Sequence, residues 1–271
     1  MAITSILKAG LGNQLFQYAA ARRLALKHGC PLVLATAWFD DPEPDRRPFR
    51  LDRFALIHDA AVSITDEPLG AIFQANRKRV FKLRSPDFIP SVLDLPDPSV
   101  LFGYFASPGY FEDAAEQLRA DLVADCSAEV ASEIGRLRSG APLVSVHVRR
   151  GDYVELSLDG ALVSSRDIRA AMDRFPAAEF LVFSDDLDWC MRELGGPKVR
   201  FSPFSDEVAD LTAISLCDHH IIPVSTFGWW GAWLNPNPTK RVLYPSGWYG
   251  RWPGRPQDTG ADCLLPGWEP Y

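Results

Sequence analysis

The chain has 271 residues, of which 47% are hydrophobic and 23% charged, and its formal net charge is −7. This size and composition suit one large folded domain or two compact ones, and the negative charge argues against broad binding to nucleic acid or an acidic membrane surface. The five cysteines are scattered and form no C-x-x-C pair, so neither a disulfide framework nor a zinc cluster is predicted. No segment resembles a leader or an integral membrane helix, so we expect a cytoplasmic protein.

The first segments along the chain predict a βαβ unit. Residues 3–7 have the pattern of a strand, residues 14–29 that of a helix ending at Gly29, and residues 31–36 that of a second strand. A basic run at 76–84 is interpreted as a solvated helix face, and residues 39–50, rich in proline and charge, as a loop.

The turn before the first helix contains Gly10 and Gly12, and Asn13 suits an N-cap there. Such a turn lets a ligand approach the backbone N–H groups at a helix N-terminus, although a plain tight turn explains the glycines equally well. A third glycine would have to stand at Leu15 for a dinucleotide fingerprint, so nicotinamide binding is disfavoured.

Residues 112–138 have a helical pattern and run into a Gly-containing break. We therefore place a domain boundary near Gly140, which divides the chain into residues 1–140 and 141–271. The second part again alternates between strands and helices, which is typical of a parallel sheet flanked by helices. Its predicted elements are strands 143–149 and 180–183 and helices at about 165–174 and 185–194.

The sequence VSVHVRRGDYV, residues 144–154, begins as a strand and ends in charged side chains. With a period of two, His147 and Arg149 point to one face of the strand, and Gly151 permits a sharp exit. Ligands bind beyond the carboxyl ends of parallel strands, where an arginine fork suits a phosphate or diphosphate. An ordinary surface pair between an arginine and Asp152 is the alternative.

The next strand ends in Ser184, Asp185 and Asp186. Helix capping explains these residue types, but a carboxylate at a strand tip can also accept hydrogen bonds from a guanine edge. Asp186 and Asp188 also form a D-x-D pattern that many sugar-nucleotide transferases use for a metal. We discount that metal site because Asp188 is expected inside the following helix.

The third signal follows a predicted helix at 207–216 and a predicted strand at 219–223. Ser225, Thr226 and Phe227 form a turn before another helix, where two hydroxyls at a helix N-terminus favour an anion. That helix contains three tryptophans, whose spacing is more typical of a core than of a binding platform.

Six segments, in order, resemble the successive motifs of the bacterial and animal α-1,2-fucosyltransferases, glycosyltransferase family 11: GLGNQLFQYAAARRLA, RPFRLDRFALI, LFGYFASPGYF, HVRRGDYV, FSDDLDW and STFGWWGAWLN. The resemblance covers nearly the whole chain. It implies an α/β, GT-B-like fold of two Rossmann-like halves with a donor and acceptor cleft between them. The second half is then the GDP-sugar-binding domain, and the first half faces the acceptor.

The resemblance also implies the reaction. GDP-β-L-fucose is the expected donor, and an oligosaccharide, galactoside or lipid-linked glycan precursor is the expected acceptor of a bacterial enzyme that inverts the anomeric centre. Neither a cofactor nor a metal is expected. Arg149 is expected to neutralise the β-phosphate, and the residues with implied catalytic or donor-binding roles are Gly10, Gly12, Asn13, His147, Arg149, Asp152, Ser184, Asp185, Asp186, Ser225, Thr226 and Phe227.

Two positions depart from the family pattern, which commonly has Asn at 224 and Ser at 228, where this chain has Val224 and Gly228. A polar contact near the donor is then missing or replaced, and a different GDP-sugar donor stays an alternative. A non-catalytic module that binds carbohydrate or RNA through its tryptophans and the basic run is the other alternative.

Overall fold

The computed structural model describes residues 1–40, 47–157, 161–247 and 261–271. Part of the predicted loop at 39–50 therefore lies outside the described residues. The chain divides into two compact units, Met1–Asp125 with Asp262–Leu264 and Cys126–Ala261 with Leu265–Tyr271.

The first unit contains a parallel five-stranded sheet with the order β3-β2-β1-β5-β4. Its strands are β1 Ile3–Ile6, β2 Leu32–Ala35, β3 Val62–Thr65, β4 Val80–Lys82 and β5 Ser99–Phe102. Its α-helices in the described residues are α1 Leu11–His28, α2 Leu69–Ala75 and α3 Ala115–Asp121. The predicted strands at 3–7 and 31–36 correspond to β1 and β2.

Helix α1 ends as predicted but begins earlier. Its C-cap is Gly29, whose φ of 59° lies in the left-handed region that glycine adopts without steric cost. The N-cap is Gly10 rather than Asn13, because the carbonyl of Gly10 already accepts hydrogen bonds from the N–H groups of Asn13 and Gln14, at 2.9 and 3.1 Å. Asn13 therefore lies in the first turn, and the prediction of an Asn13 cap is wrong.

The basic run at 76–84 is not a helix face, because its centre forms β4. Val80, Phe81 and Lys82 pair with the last residues of β5 at the edge of the sheet. Val80 is β-branched and Phe81 is aromatic, and such residues favour extended pairing. The positively charged side chains of the run therefore lie in and around a strand.

The predicted helix at 112–138 is interrupted. Helix α3 ends at Asp121, and α4 begins at Ser127. The residues between them leave the helix to pair with an earlier segment: Ala55 N–H donates to the carbonyl of Val123 at 2.9 Å, and Asp125 N–H donates to the carbonyl of Arg53 at 2.9 Å. A sequence window cannot show these long-range bonds.

The second unit contains a parallel six-stranded sheet with the order β11-β10-β9-β6-β7-β8. Its strands are β6 Leu143–Val148, β7 Glu179–Ser184, β8 Val199–Phe201, β9 His219–Ile221, β10 Val242–Tyr244 and β11 Glu269–Pro270. Its α-helices in the described residues are α4 Ser127–Leu137, α5 Gly151–Glu155, α6 Ser165–Met172, α7 Leu187–Leu194, α8 Glu207–Ser215 and α9 Thr226–Leu234.

The division between the units falls before Gly140 because α4 packs on the second sheet. Val130 and Ile134 of this helix belong to one buried cluster with Leu143 and Phe183, which lie on β6 and β7. The helix thus belongs with the sheet that follows it, and the boundary predicted near Gly140 lies about 15 residues inside the second unit.

Strand β6 is buried on both faces along its whole length. Val144, Val146 and Val148 face one buried cluster, while Leu143 faces the other. A central strand covered by helices on both sides has this pattern. Trp229, Trp230 and Trp233 of α9 are also core residues, with exposures of 0%, 0% and 4%, as their spacing predicts.

Candidate functional site

The strand order of the second unit places three strand ends together. Numbered within the unit, the strands follow the order 3-2-1-4-5-6 from β8 to β11, which is that of dinucleotide-binding sheets. The order reverses between β6 and β9, which pair directly. In such sheets a ligand binds outside the carboxyl ends of the strands at this reversal, which we call the second switch point.

Arg149 follows β6 at the second switch point. Its Nη2 donates to Asp152 Oδ2 at 2.7 Å, and its Nη1 lies 2.7 Å from Asp185 Oδ2. Its side chain is 22% exposed. Burial alone would lower the pKa of Arg149, but the two carboxylates raise it above its ordinary value. The predicted pair with Asp152 exists, and it is part of a partly buried network rather than an isolated surface contact.

Arg150 has its own partners. Its Nε lies 3.2 Å from Asp186 Oδ2, and its guanidinium carbon lies 4.0 Å from the ring centroid of Trp189. Its backbone N–H donates to Asp185 Oδ1 at 2.9 Å. Stacking on an indole and pairing with a carboxylate fix this arginine against α7.

His147 is buried within the end of β6, with 7% exposure. Its ring lies 5.2 Å from the ring of Phe227, and its Nδ1 is buried without a hydrogen-bond partner among the described residues. Burial lowers the pKa of His147 to about 4, with a further lowering by Arg149 and an opposing effect of Asp185. The imidazole is therefore neutral near pH 7.

Two glycines make room for this arrangement. A Cβ on Gly228 would lie 2.5 Å from His147 Nδ1 and 3.2 Å from Pro223 Cδ, so a side chain at this position would displace the imidazole. A Cβ on Gly151 would lie 2.9 Å from Asp185 Oδ2. The departure from serine at 228 thus has a physical consequence, because it leaves the imidazole in direct contact with the backbone of α9.

Ser225 is the N-cap of α9, and its hydroxyl makes no capping hydrogen bond. Thr226 is the first residue of the helix, and no acidic residue lies in the first turn. Both side chains are partly exposed. Hydroxyls beside the first backbone N–H groups, at the positive end of a nine-residue helix, are suited to an anion.

The two aspartates after β7 are occupied by protein contacts. Asp186 is the N-cap of α7, because its Oδ1 accepts from the N–H of Trp189 at 3.1 Å. Ser184 Oγ accepts from the N–H of Asp186 at 3.0 Å. The capping interpretation therefore accounts for Asp186, while both oxygens of Asp185 contact the two arginines. Asp188 lies inside α7, as expected.

Sequence reasoning missed Tyr153, which supports the same site. This residue is buried, its hydroxyl donates to the carbonyl of Val224 at 2.8 Å, and its ring lies 5.6 Å from the guanidinium carbon of Arg149. It thereby joins α5 to the turn before α9. The sequence carried no local signal for this contact, because Arg149 precedes α5 and the helical i, i+4 spacing does not apply to it.

The other predicted donor-binding residues belong to the first unit. Gly10 caps α1, Gly12 is buried in its first turn, and Asn13 is partly exposed beside it. Within the described ranges, no group of three or more His, Cys, Asp or Glu side chains is placed to hold a metal ion. Among the same residues, none of the helices combines the length and apolarity needed to cross a membrane.

A family profile and similar proteins of known function both match this chain, and they agree with each other. The profile described as "Glycosyl transferase family 11" matches residues 2–251. An alpha-1,2-colitosyltransferase of Escherichia coli is 28% identical, over 92% of this chain and 93% of the relative. Galactoside alpha-(1,2)-fucosyltransferase 1 of Plecturocebus brunneus is 31% identical, over 82% of this chain and 62% of the relative.

The solved structures agree with the fold. NodZ alpha-1,6-fucosyltransferase, in crystals soaked with GDP-fucose, superposes with a TM-score of 0.56 at 17% identity, over 86% of this chain and 92% of that one. POFUT1 in complex with GDP-fucose superposes with a TM-score of 0.56 at 13% identity, over 90% of this chain and 97% of that one. The prediction of an α/β, GT-B-like fold with two Rossmann-like halves is confirmed.

Proposed function

The chain belongs to glycosyl transferase family 11, and we propose that it transfers L-fucose from GDP-β-L-fucose to a galactoside hydroxyl with inversion at the anomeric carbon. It is an enzyme, a glycosyltransferase similar to the galactoside α-1,2-fucosyltransferases. The proposed acceptor hydroxyl is O2 of a galactose unit in an oligosaccharide or a lipid-linked glycan precursor.

The observation that carries this proposal is the position of Arg149. It lies at the reversal of strand order, held by Asp152 and Asp185 in a defined orientation. Its guanidinium has five N–H donors, of which these carboxylates use only part, so donors remain for a diphosphate. The hydroxyls of Ser225 and Thr226 and the N-terminus of α9 supply further donors beyond the neighbouring strand β9.

In the proposed reaction the acceptor hydroxyl oxygen attacks the anomeric carbon while the bond to the diphosphate breaks, and the hydroxyl proton is released to water. Negative charge accumulates on the departing diphosphate, so Arg149 stabilises the transition state more than the ground state. His147 is neutral near pH 7, and it contributes a ring N–H donor rather than a second positive charge. Asp152 acts as a positioning residue, because it holds the guanidinium.

Guanine recognition is assigned to the strand tip after β7. Asp186 uses one oxygen for the helix cap and the other for Arg150, but each carboxylate oxygen can accept two hydrogen bonds. The N1–H and N2–H donors of guanine fit this remaining capacity, and adenine and uracil offer no such pair. Gly10, Gly12 and Asn13 are also proposed as donor-binding residues.

The test is a product assay with GDP-fucose and lactose, with the linkage of the product determined by NMR. The proposal expects a trisaccharide with α-linked fucose on galactose O2, formed at the same rate with EDTA, because Arg149 replaces a divalent ion at the diphosphate. Intact GDP-fucose after prolonged incubation with a series of galactosides would contradict the proposed donor. Activity that is lost in EDTA and restored by Mn²⁺ would return Asp186 and Asp188 to consideration as ligands.

A second candidate is transfer of a different sugar from the corresponding GDP donor. One relative is an alpha-1,2-colitosyltransferase, which is similar over 92% of this chain. The product assay distinguishes the two when the colitosyl donor and GDP-mannose are offered in parallel with GDP-fucose. A higher kcat/KM for either alternative would reassign the donor sugar without changing the role of Arg149.

A further inference from the structure

The first unit has a switch point of its own. In the order β3-β2-β1-β5-β4, the chain proceeds outward from β1 through β2 to β3 and then returns on the other side of β1. Strands β1 and β5 pair directly, with Ser5 opposite Leu101. Ligands of parallel α/β sheets bind outside the carboxyl ends of the strands at such a reversal. The side chains that follow β1 and β5 here include Lys8 and Tyr104.

These side chains contact one another. Lys8 Nζ lies 4.3 Å from the ring centroid of Tyr104 and 4.8 Å from that of Phe102. The ring of Phe102 also contacts the ring of Phe73, and the two ring centroids lie 5.5 Å apart. Tyr104 is 46% exposed, so part of its ring faces solvent above this cluster. We call Lys8, Phe102 and Tyr104 the aromatic–lysine cluster.

Lys8 has no carboxylate partner in the described parts of the chain. Burial lowers its pKa from the ordinary value of 10.5. Its backbone N–H donates to Gln17 Oε1 at 2.9 Å, which fixes the start of the side chain. In the described parts of the chain the ammonium group is therefore held by two aromatic faces rather than by an ion pair, and its Nζ makes no hydrogen bond to these residues.

Strained backbone follows two members of the cluster, Lys8 and Tyr104. Ala9 has φ 66° and Phe105 has φ 51°, both in the left-handed region that non-glycine residues adopt at a cost. Beside Tyr104, a Cβ on Gly103 would lie 2.5 Å from Leu83 Cβ and 3.2 Å from its backbone oxygen, so only glycine fits. Strain of this kind persists where surrounding structure enforces it, and such places cluster at binding sites.

We propose that the aromatic–lysine cluster binds a neutral hexopyranose ring of the acceptor glycan, stacked on Tyr104 with its hydroxyls accepting from Lys8. The assignment of this sugar as the acceptor rests on the proposed function. A pyranose presents an apolar C–H face and a polar edge, which match an exposed aromatic ring beside an ammonium group.

A phosphate would be a poorer occupant. Two lysines approach these rings, Lys8 at Tyr104 and Phe102 and Lys82 at Phe73 and Phe102, but aromatic faces engage both charges, and the cluster has no guanidinium fork of the kind that follows β6. A planar base could also stack on Tyr104 and accept from Lys8 through a ring nitrogen or a carbonyl oxygen. A pyranose offers more acceptors along its hydroxyl edge, and this difference favours a sugar.

The experiment measures sugar contact without requiring catalysis. Saturation-transfer NMR is recorded for lactose and methyl β-galactoside with the wild-type protein, Tyr104→Leu and Tyr104→Phe. The Leu variant removes the ring at an exposed position, while the Phe variant retains it and is the matched control. We expect saturation of the sugar protons to fall sharply in Tyr104→Leu and to persist in Tyr104→Phe. Lys8→Met is expected to weaken binding as well, because the hydroxyl donors disappear.

Steady-state kinetics complete the test. Tyr104→Leu should raise the KM for lactose by roughly 2- to 12-fold, the scale of one aromatic contact, without changing the KM for GDP-fucose. Sugar saturation that is absent from the wild type, or equal in Tyr104→Leu and the wild type, overturns the inference. A wild-type protein that binds the sugars through Tyr104 but neither binds GDP nor transfers fucose would support the sugar site and contradict the proposed function.

Discussion

The two sheets have similar parallel topology but different chemistry at their switch points. Beyond the second sheet, Arg149 and Arg150 are surrounded by three aspartates and a buried histidine. Beyond the first sheet, Lys8 lies against aromatic rings without an ion pair in the described residues. The second switch point is therefore suited to a highly charged diphosphate, and the first to an uncharged sugar.

If both proposals hold, one sheet design serves two functions through a few residues at its strand tips. Backbone topology determines where a ligand binds, and the side chains at that place determine its class. Carboxylates beside the arginines fix the orientation of the guanidinium groups, whereas aromatic rings beside Lys8 supply a surface for stacking. Substitutions at either switch point should therefore alter one substrate and leave the other unaffected.

The largest effect is expected for Arg149→Lys. The charge is retained, but an ammonium group cannot reproduce the planar fork that a diphosphate requires. We expect kcat to fall by about 10²–10³, the usual cost of one transition-state contact, while sugar saturation at Tyr104 is unchanged. Arg150→Lys is the matched control, because Arg150 stacks on Trp189 and pairs with Asp186. Comparable rates for Arg149→Lys and wild type would remove the role assigned to Arg149.

Acid should destabilise the second unit through His147. Its pKa is about 4 in the folded protein and 6.5 in the unfolded reference, so the unfolded chain binds more protons between these values. The resulting stability is fully present above pH 6.5 and is lost as the pH falls towards 4. The loss is on the order of 3 kcal/mol when complete.

Urea unfolding of the wild type and His147→Gln at pH 7 and pH 4.5 measures this contribution. His147→Gln should lose less free energy of unfolding between the two pH values. His220→Gln is the variant for comparison with His147→Gln. Burial also lowers the pKa of His220, to about 3, but both ring nitrogens of His220 have hydrogen-bond partners, in Ser145 and Asn235. An equal pH dependence in His147→Gln and wild type would contradict the assignment of a buried neutral imidazole.

Gly228→Ser tests how closely the second switch point is packed. The new Cβ would lie 2.5 Å from His147 Nδ1, so the imidazole must move. A misplacement of about 1 Å near reacting groups can cost up to about 10² in rate, and we expect a loss of about 10- to 100-fold in kcat/KM. Steady-state kinetics with GDP-fucose and lactose check this. A more active Gly228→Ser enzyme would show that the imidazole position is not required.

Ala9→Gly should have the smallest effect and the opposite sign. Glycine adopts the φ of 66° at this position without steric cost, so the variant should gain about 1 kcal/mol of stability. Ala131→Gly is the control, because this exposed residue of α4 has ordinary helical backbone and the change should cost about 1 kcal/mol. Thermal unfolding compares them. A destabilised Ala9→Gly protein would show that no strain is stored beside Lys8.

Sequence patterns predicted most elements of the second unit, because β6 and β7 are apolar runs that end in polar residues. They did not identify β4 and β5, since three or four residues between loops produce little periodicity. The break between α3 and α4 was also missed, because it depends on hydrogen bonds to residues more than sixty positions earlier.

For the candidate site, sequence could place residue types at strand tips but not their partners. Arg149 was selected correctly as a tip residue, yet its pairing with Asp185 joins positions on two different strands. The contact between Gly228 and His147 joins α9 to β6 and leaves no local pattern. Tyr153 was overlooked because its role depends on the carbonyl of Val224, which the side-chain sequence does not encode.

Thermal unfolding with nucleotides tests the central claim, that the second switch point binds a guanosine diphosphate through Arg149. A ligand that binds only the folded state at a hundredfold excess over Kd stabilises it by about 2.7 kcal/mol, which for a chain of this size raises the Tm by roughly 5–10 °C. GDP should produce this shift, UDP and ADP at the same concentration should produce little, and Arg149→Ala should remove most of the GDP shift while remaining folded. An equal shift with UDP, or a GDP shift that persists in Arg149→Ala, would contradict the account.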